Sequence, residues 1–150
     1  MATNIPTVKT TITDGNLGRV ATTNDGTTLL AGTAVAVASK IVLGTLLGPF
    51  KELAEVEAAG ITEAYDNTNS LMLHQHAKEF YDEGGKGRTL YILPMDQDEM
   101  MADMADKTQD FVAKAIRDLQ GAINLVVLTR VPASGEEITY VGEFPEDVWD

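Results

Sequence analysis

The sequence predicts a single α/β domain with a mixed, partly parallel sheet flanked by helices and an extended N-terminal arm. Three observations predict it. Apolar, strand-like runs at 29–38, 41–47, 89–93 and 122–131 alternate with segments of helical period, and connections of that length imply right-handed βαβ crossovers. The 150 residues are 44% hydrophobic and 23% charged, enough apolar content for one core and too little length for two full domains. Residues 1–27 differ in character, being rich in Thr, Asn, Asp and Gly with only scattered apolar side chains. The division expected is an arm at 1–27, a domain at 28–144, and the start of a further C-terminal region at 145–150.

In the arm, Val8, Thr10 and Ile12 alternate with Thr7, Lys9, Thr11 and Thr13 as a half-buried strand would. Ile5, Val8, Ile12 and Leu17 are its sizeable apolar anchors, and Asp14-Gly15-Asn16 and Asn24-Asp25-Gly26 are turn signals. An isolated strand cannot satisfy its own backbone groups, so the arm is either a frayed terminus or an exchangeable strand for a partner's sheet edge. Read as exchangeable, deletion of residues 2–20 is expected to leave the melting temperature of the domain nearly unchanged while abolishing polymerisation.

From Thr28 the small and β-branched residues of 29–38 suit a strand buried on both faces, and 41–47 reads as a second strand. Pro49 fits the first turn of a short helix carrying Phe50, Leu53, Ala54 and Val56 and ended by Gly60. A longer helix is predicted over 68–83, with Asp66, Asn67 or Asn69 as its N-cap, Leu73, Ala77, Phe80 and Tyr81 on one stripe, and Gly84-Gly85 as its stop. The run 89–93 is a strand bounded by Pro94. Helix resumes over 97–120, broken near Lys107-Thr108, where Thr108 can cap a segment bearing Phe111, Val112, Ala115, Ile116 and Leu119; Gly121 ends it. Residues 122–131 are the strongest strand candidate, and 136–144 offers an edge strand through Ile138, Tyr140 and Val141. Pro145 and the acids after it read as the opening turn of another helix, which suggests a piece of a longer protein, a docked tail being the alternative. The predicted sheet core is Val35, Val37, Leu90, Ile92, Val126 and Leu128, packed under helices carrying Leu73, Phe80, Val112 and Ile116.

Charge and composition exclude much chemistry. Eleven basic against 23 acidic residues give a net charge of -12, which repels nucleic acid and anionic membranes. Residues 1–50 hold three basic and two acidic side chains, whereas 51–150 hold eight and 21. With zero cysteines there is no disulfide, thiolate zinc site or cysteine nucleophile. No secretory signal is visible, and the longest apolar stretch, 29–47, is interrupted by Ser39, Lys40, two threonines and two glycines. The chain reads as cytoplasmic and soluble.

Motifs for catalysis are missing. The loop Gly84-Gly85-Lys86-Gly87-Arg88-Thr89 lacks phosphate-loop spacing and precedes a strand, and neither GxGxxG nor GxSxG occurs. His74 and His76, about 200° apart on a helix, cannot grip one metal ion. The acids Asp96, Asp98, Glu99, Asp103 and Asp106 lack the calcium-loop pattern and suit a solvated helix face. Met95, Met100, Met101 and Met104 crowd one stretch, either as adaptable core packing or as a protein contact surface. No catalytic, cofactor-binding or metal-ligating residue is expected.

The middle of the chain resembles a known family. Gly44-Thr45-Leu46-Leu47 leading to a helix, Gly60-Ile61-Thr62, the helix ending His76-Ala77-Lys78-Glu79-Phe80-Tyr81, the Gly84-Gly85 stop and the strand Leu90-Tyr91-Ile92-Leu93 together resemble contractile phage tail sheath proteins, in particular a divergent prophage branch. The likeness spans roughly residues 28–130. It implies a structural subunit without cofactor or enzymatic activity, polymerising with copies of itself around an inner tail tube, with tail-tube and baseplate proteins as partners. Assembly in the bacterial cytoplasm and residence in the virion tail follow from the same resemblance. Sheath subunits carry extended arms that add strands to their neighbours, so Ile5, Val8, Ile12, Leu17, Met100, Met101 and Met104 become the expected subunit contacts. Relative to sheath proteins the chain is short and lacks a C-terminal domain and arm. The alternative is an α/β ligand-binding domain or enzyme using the crevice at the carboxyl ends of the strands, with Thr129, Arg130 and Asp96 as its best residues. A regulatory adaptor is a third reading, supported only by the acidic surface.

Overall fold

The structure is a computed structural model and describes residues 26–133, 140–141 and 144–145. The elements run β1 (Thr28–Thr33), β2 (Leu47–Phe50), α1 (Leu53–Ala58), α2 (Glu63–Asn69), α3 (Leu73–Phe80), β3 (Leu90–Met95), α4 (Met101–Ala105), α5 (Val112–Asp118), β4 (Leu125–Thr129), β5 (Tyr140–Val141) and β6 (Phe144–Pro145). The main sheet has the order β2-β3-β1-β4, with β1 parallel to both β3 and β4 and β2 antiparallel to β3. The fold is therefore α/β with a mixed sheet flanked by helices, as the sequence predicts.

Central position explains β1. Its six residues are all buried, because helices lie over both faces and strands over both edges. Leu30 joins a cluster with Val56, Tyr65, Leu73 and Ala77 from α1, α2 and α3. Leu29 and Ala31 point the other way, into a cluster with Met104, Val112 and Ala115 from α4 and α5. The alternation of strand side chains thus divides the core into two layers.

Several boundaries differ from the sequence reading. β1 stops at Thr33, and Val35 and Val37 lie in the loop after it, packed at the margin of the first cluster. There the Tyr65 hydroxyl stands in for a strand partner, accepting from the Val35 amide and donating to the Val35 carbonyl, both at 2.7 Å. Of the strand predicted over 41–47, residues 41–46 form none beyond an isolated Val37–Ile41 bridge. β2 begins at Leu47 and carries Pro49 within it rather than at the head of a helix. An edge strand tolerates the missing donor.

The helix predicted over 68–83 is two helices. Ser70 adopts a left-handed φ of 54°, which breaks the run after α2. Thr62 caps α2 by accepting from the Tyr65 amide at 3.2 Å, and Asp66 lies inside α2 instead of capping it. Its Oδ2 accepts from the Gln75 amide at 3.1 Å, so it satisfies the first turn of the following helix, α3. A wider turn, Tyr81–Gly85, ends α3 where Gly84 takes a φ of 114°.

β3 continues through Pro94 to Met95. The Pro94 carbonyl accepts from Gly44 on the β2 side, so its nitrogen faces the same side, where β2 has already ended and no ladder donor is required. The helix predicted over 97–120 shortens to α4 and α5. Thr108 caps neither; its amide and hydroxyl both donate to Asp106 Oδ1, and Phe111 precedes α5. Ile116 is exposed and Phe80 only partly buried. Pro145 pairs with Tyr140 in a two-stranded ladder, and the acids after it lie outside the described residues.

Candidate interaction surface

The chain passes from β1 to β3 on one side and then crosses back to β4 on the other, so the strand order reverses between β1 and β4. Open α/β sheets bind ligands outside the carboxyl ends of the strands at such a point. Here the crevice is stitched together. Thr33 Oγ1 accepts from the Val131 amide at 2.9 Å, and Thr129 Oγ1 shares a 3.1 Å hydrogen bond with His76 Nε2. Arg130 donates from Nε to the Glu99 carbonyl at 3.0 Å and from Nη2 to the Gln97 carbonyl at 3.3 Å. The gap that remains beside Gly32, Leu73 and His76 has no room for a water molecule. Asp96 accepts from the Asp98 amide in an exposed turn. Thr129 and Arg130 do meet at one strand end, and their polar groups hold this junction together.

The histidines diverge. His74 is buried, with Nε2 3.1 Å from Glu57 Oε1, while His76 lies on the Thr129 side with Nδ1 3.6 Å from Glu79. Among the described residues, no three His, Asp or Glu side chains are placed to hold a metal ion, and no helix is long and apolar enough to cross a membrane. Asp106 has its carboxyl held below the usual range by the Thr108 amide and hydroxyl, which gives that acid a turn-forming role.

The surface that stands out is on β4, which is the sheet's edge and not its centre. Val126 and Leu128 pack against the second cluster, at the margin of the core rather than within it. Leu125 and Val127 face the opposite way and are 54% and 40% exposed. The cause is uneven cover: α4 and α5 reach across to β4, whereas α1, α2 and α3 pack over β2, β3 and β1. A groove of about 420 Å³ is left between α3 and β4. Leu30, Phe80, Leu90 and Val127 line its apolar wall; Thr28 and Glu83 mark one end, His76 and Thr129 the other, with Glu79 on the rim. Sequence reasoning missed this surface because the run Leu125 to Leu128 is equally apolar on both faces, and periodicity carries no information on which strand is the edge.

The family model for the DUF2586 N-terminal domain matches residues 5–149. The chain belongs to the DUF2586 family. No curated protein and no solved structure matches it. The match begins at Ile5, so most of the predicted arm lies inside the extent of the DUF2586 domain.

The expected contact residues of the DUF2586 domain separate. Met104 is fully buried in the second cluster and belongs to the core, not to a surface. Met100 is 41% exposed and Met101 partly so, at the start of α4. Ile5, Val8, Ile12 and Leu17 lie outside the described residues.

Gly32 tests the stitched junction. A Cβ there would stand 2.9 Å from Leu73 Cδ1 and 3.0 Å from Thr129 Cγ2. Gly32→Ala should therefore destabilise the domain by about 1–2 kcal/mol through overpacking. A denaturant midpoint equal to or above wild type would show that the junction has slack.

Proposed function

We propose that this DUF2586 chain is a structural subunit of a contractile phage tail sheath, polymerising around an inner tail tube. The observation that carries the reading is β4. Its sequence, Leu125-Val126-Val127-Leu128-Thr129, holds no charge and no proline, and among the described residues it presents an unpaired edge beside a bare apolar face. Proteins that remain monomeric guard such edges with lysine, proline or a covering element, because an open strand pairs with another chain. A polymerising subunit needs one. The sheath-like residues from Gly44 to Leu93 support the same conclusion, and the net charge of -12 is consistent with partners that are proteins rather than nucleic acid or membrane. In this reading the neighbours are copies of the chain together with tail-tube and baseplate proteins, the subunits assemble in the bacterial cytoplasm, and the product resides in the virion tail.

The ligand-binding alternative gains nothing from the crevice, since Thr129 and Arg130 are engaged within the fold. The protein should form tubes visible by electron microscopy, and the double variant Leu125→Lys/Val127→Lys should stay small in sedimentation with its circular dichroism unchanged, because both sites are exposed. Tubes formed as readily by the variant would remove β4 from the argument. Failure of the wild type to form tubes at any concentration, with tube protein present, would end the sheath reading.

A further inference from the structure

We infer that, in the unassembled subunit, the groove between α3 and β4 is occupied by the chain's own N-terminal arm, residues 5–13. The inference rests on the reading of the chain as a self-assembling subunit and adds how a free subunit covers its open face. It departs from the expectation that the arm contributes nothing to the isolated domain, for reasons that only the three-dimensional arrangement supplies.

The first reason is where the arm is attached. Thr27, which the sequence assigns to the arm, is buried, and its carbonyl accepts from the amides of Asn124 and Leu125 at the foot of β4. The chain turns at Gly26, with a φ of 95° and the Arg88 side chain against it. Both edges of β1 are taken, by β3 and β4, so residues before Gly26 cannot extend the sheet beside β1. Thr28, two residues on, lines the lower end of the groove. The arm therefore leaves the body at the mouth of the groove, and a segment tethered there meets it at an effective concentration on the order of millimolar.

Charge selects the arm over the other end of the chain. The rim of the groove carries Glu79 and Glu83. Residues 134–150 contain six acids and no basic residue, so the rim repels them. Residues 1–25 are neutral, with Lys9 and Arg19 against Asp14 and Asp25. The arm's pattern fits as well: Val8 and Ile12 share one face of the predicted strand and match an apolar wall containing Leu30, Phe80 and Val127, while Lys9 on the other face stays level with the acidic rim. Residues 14–25, with two turn signals, supply the slack that a strand of about 17 Å requires.

The absence of native cysteine makes the test clean. In Val8→Cys/Val127→Cys, oxidised while dilute and monomeric, the disulfide should form within one chain, read as faster migration on a non-reducing gel without any dimer band. Deleting residues 2–20 should lower the melting temperature by several degrees and raise hydrogen exchange at the amides of Val126 to Thr129. Lys9→Glu should reproduce part of both effects, with recovery in the Lys9→Glu/Glu83→Lys variant. Cross-links only between chains, or a deletion that changes neither melting nor exchange, would overturn the inference. Polymerisation is scored separately. Tubes without an intrachain cross-link sink the docking and leave the sheath reading intact, whereas an intrachain cross-link in a protein that never polymerises supports the docking and sinks the sheath reading alone.

Discussion

Replacing Met104 with alanine should destabilise the domain by about 2–5 kcal/mol, the range for truncating a fully buried long side chain. Met104 has no exposed surface and packs with Leu29, Ala31, Leu93, Met95, Val112 and Ala115. It is the buried residue through which α4 grips the sheet, and the neighbouring Asp103 on the same helix offers no substitute. Met100→Ala is the matched control. That side chain is 41% exposed at the entrance to α4, so its loss should fall within about 0.5 kcal/mol of wild type. Chemical denaturation should show the Met104 variant with a lower midpoint and an unchanged slope. Equal effects from the two substitutions would mean that α4 does not sit on the sheet as described.

Tyr65→Phe should cost about 2–3 kcal/mol, because it leaves the amide and the carbonyl of Val35 without their shared partner in a partly buried loop. Tyr81→Phe should do the opposite, being neutral or stabilising. The Tyr81 hydroxyl is buried and has no hydrogen-bond partner among the described residues, so its removal relieves a desolvated polar group. Burial, reinforced by Glu55 and Glu52, pushes the Tyr81 phenol up to about 12. The folded state thus holds this proton more tightly than the unfolded chain, whose tyrosine titrates near 10. The associated stability is complete below about pH 10 and is lost as pH rises toward 12. Tyr81→Phe should therefore also resist alkaline unfolding better than wild type. If the two substitutions lower the melting temperature equally, the contrast between a bonded and an orphaned hydroxyl is wrong.

The fold class was legible because β1 and β3 are continuous apolar runs separated by helical segments, which is what parallel strands covered on both faces require. Gly60 as the stop of α1 was legible for a local reason, its φ of 104° being one that glycine adopts without strain. Other features depend on tertiary context. Ser70 in the left-handed region splits one periodic segment into α2 and α3, and its cost is met by a fold that brings Asp66 to the Gln75 amide. Pro94 persists in a strand only because its neighbour has already ended. Of the surface, Thr129 and Arg130 were found as strand-end residues, but their bonds to His76 and to the carbonyls of Gln97 and Glu99 join segments more than thirty residues apart. The open edge itself was hidden in the most apolar stretch of the sequence, where richness in valine and leucine suggests a centre and the strand order makes it a margin.

The two margins of the sheet are unlike. β2 is irregular, with Gly48 at a φ of 116° and Pro49 lacking a donor, so it offers a poor template to an incoming strand. β4 is regular and, among the described residues, unguarded. Among the described residues, the four-stranded sheet consequently offers one regular edge to an incoming strand. Pairing at that edge alone can join subunits into a file with a direction, like links that hook at one end, and it cannot branch. Any lattice of higher connectivity must draw its second bond from a surface outside the sheet.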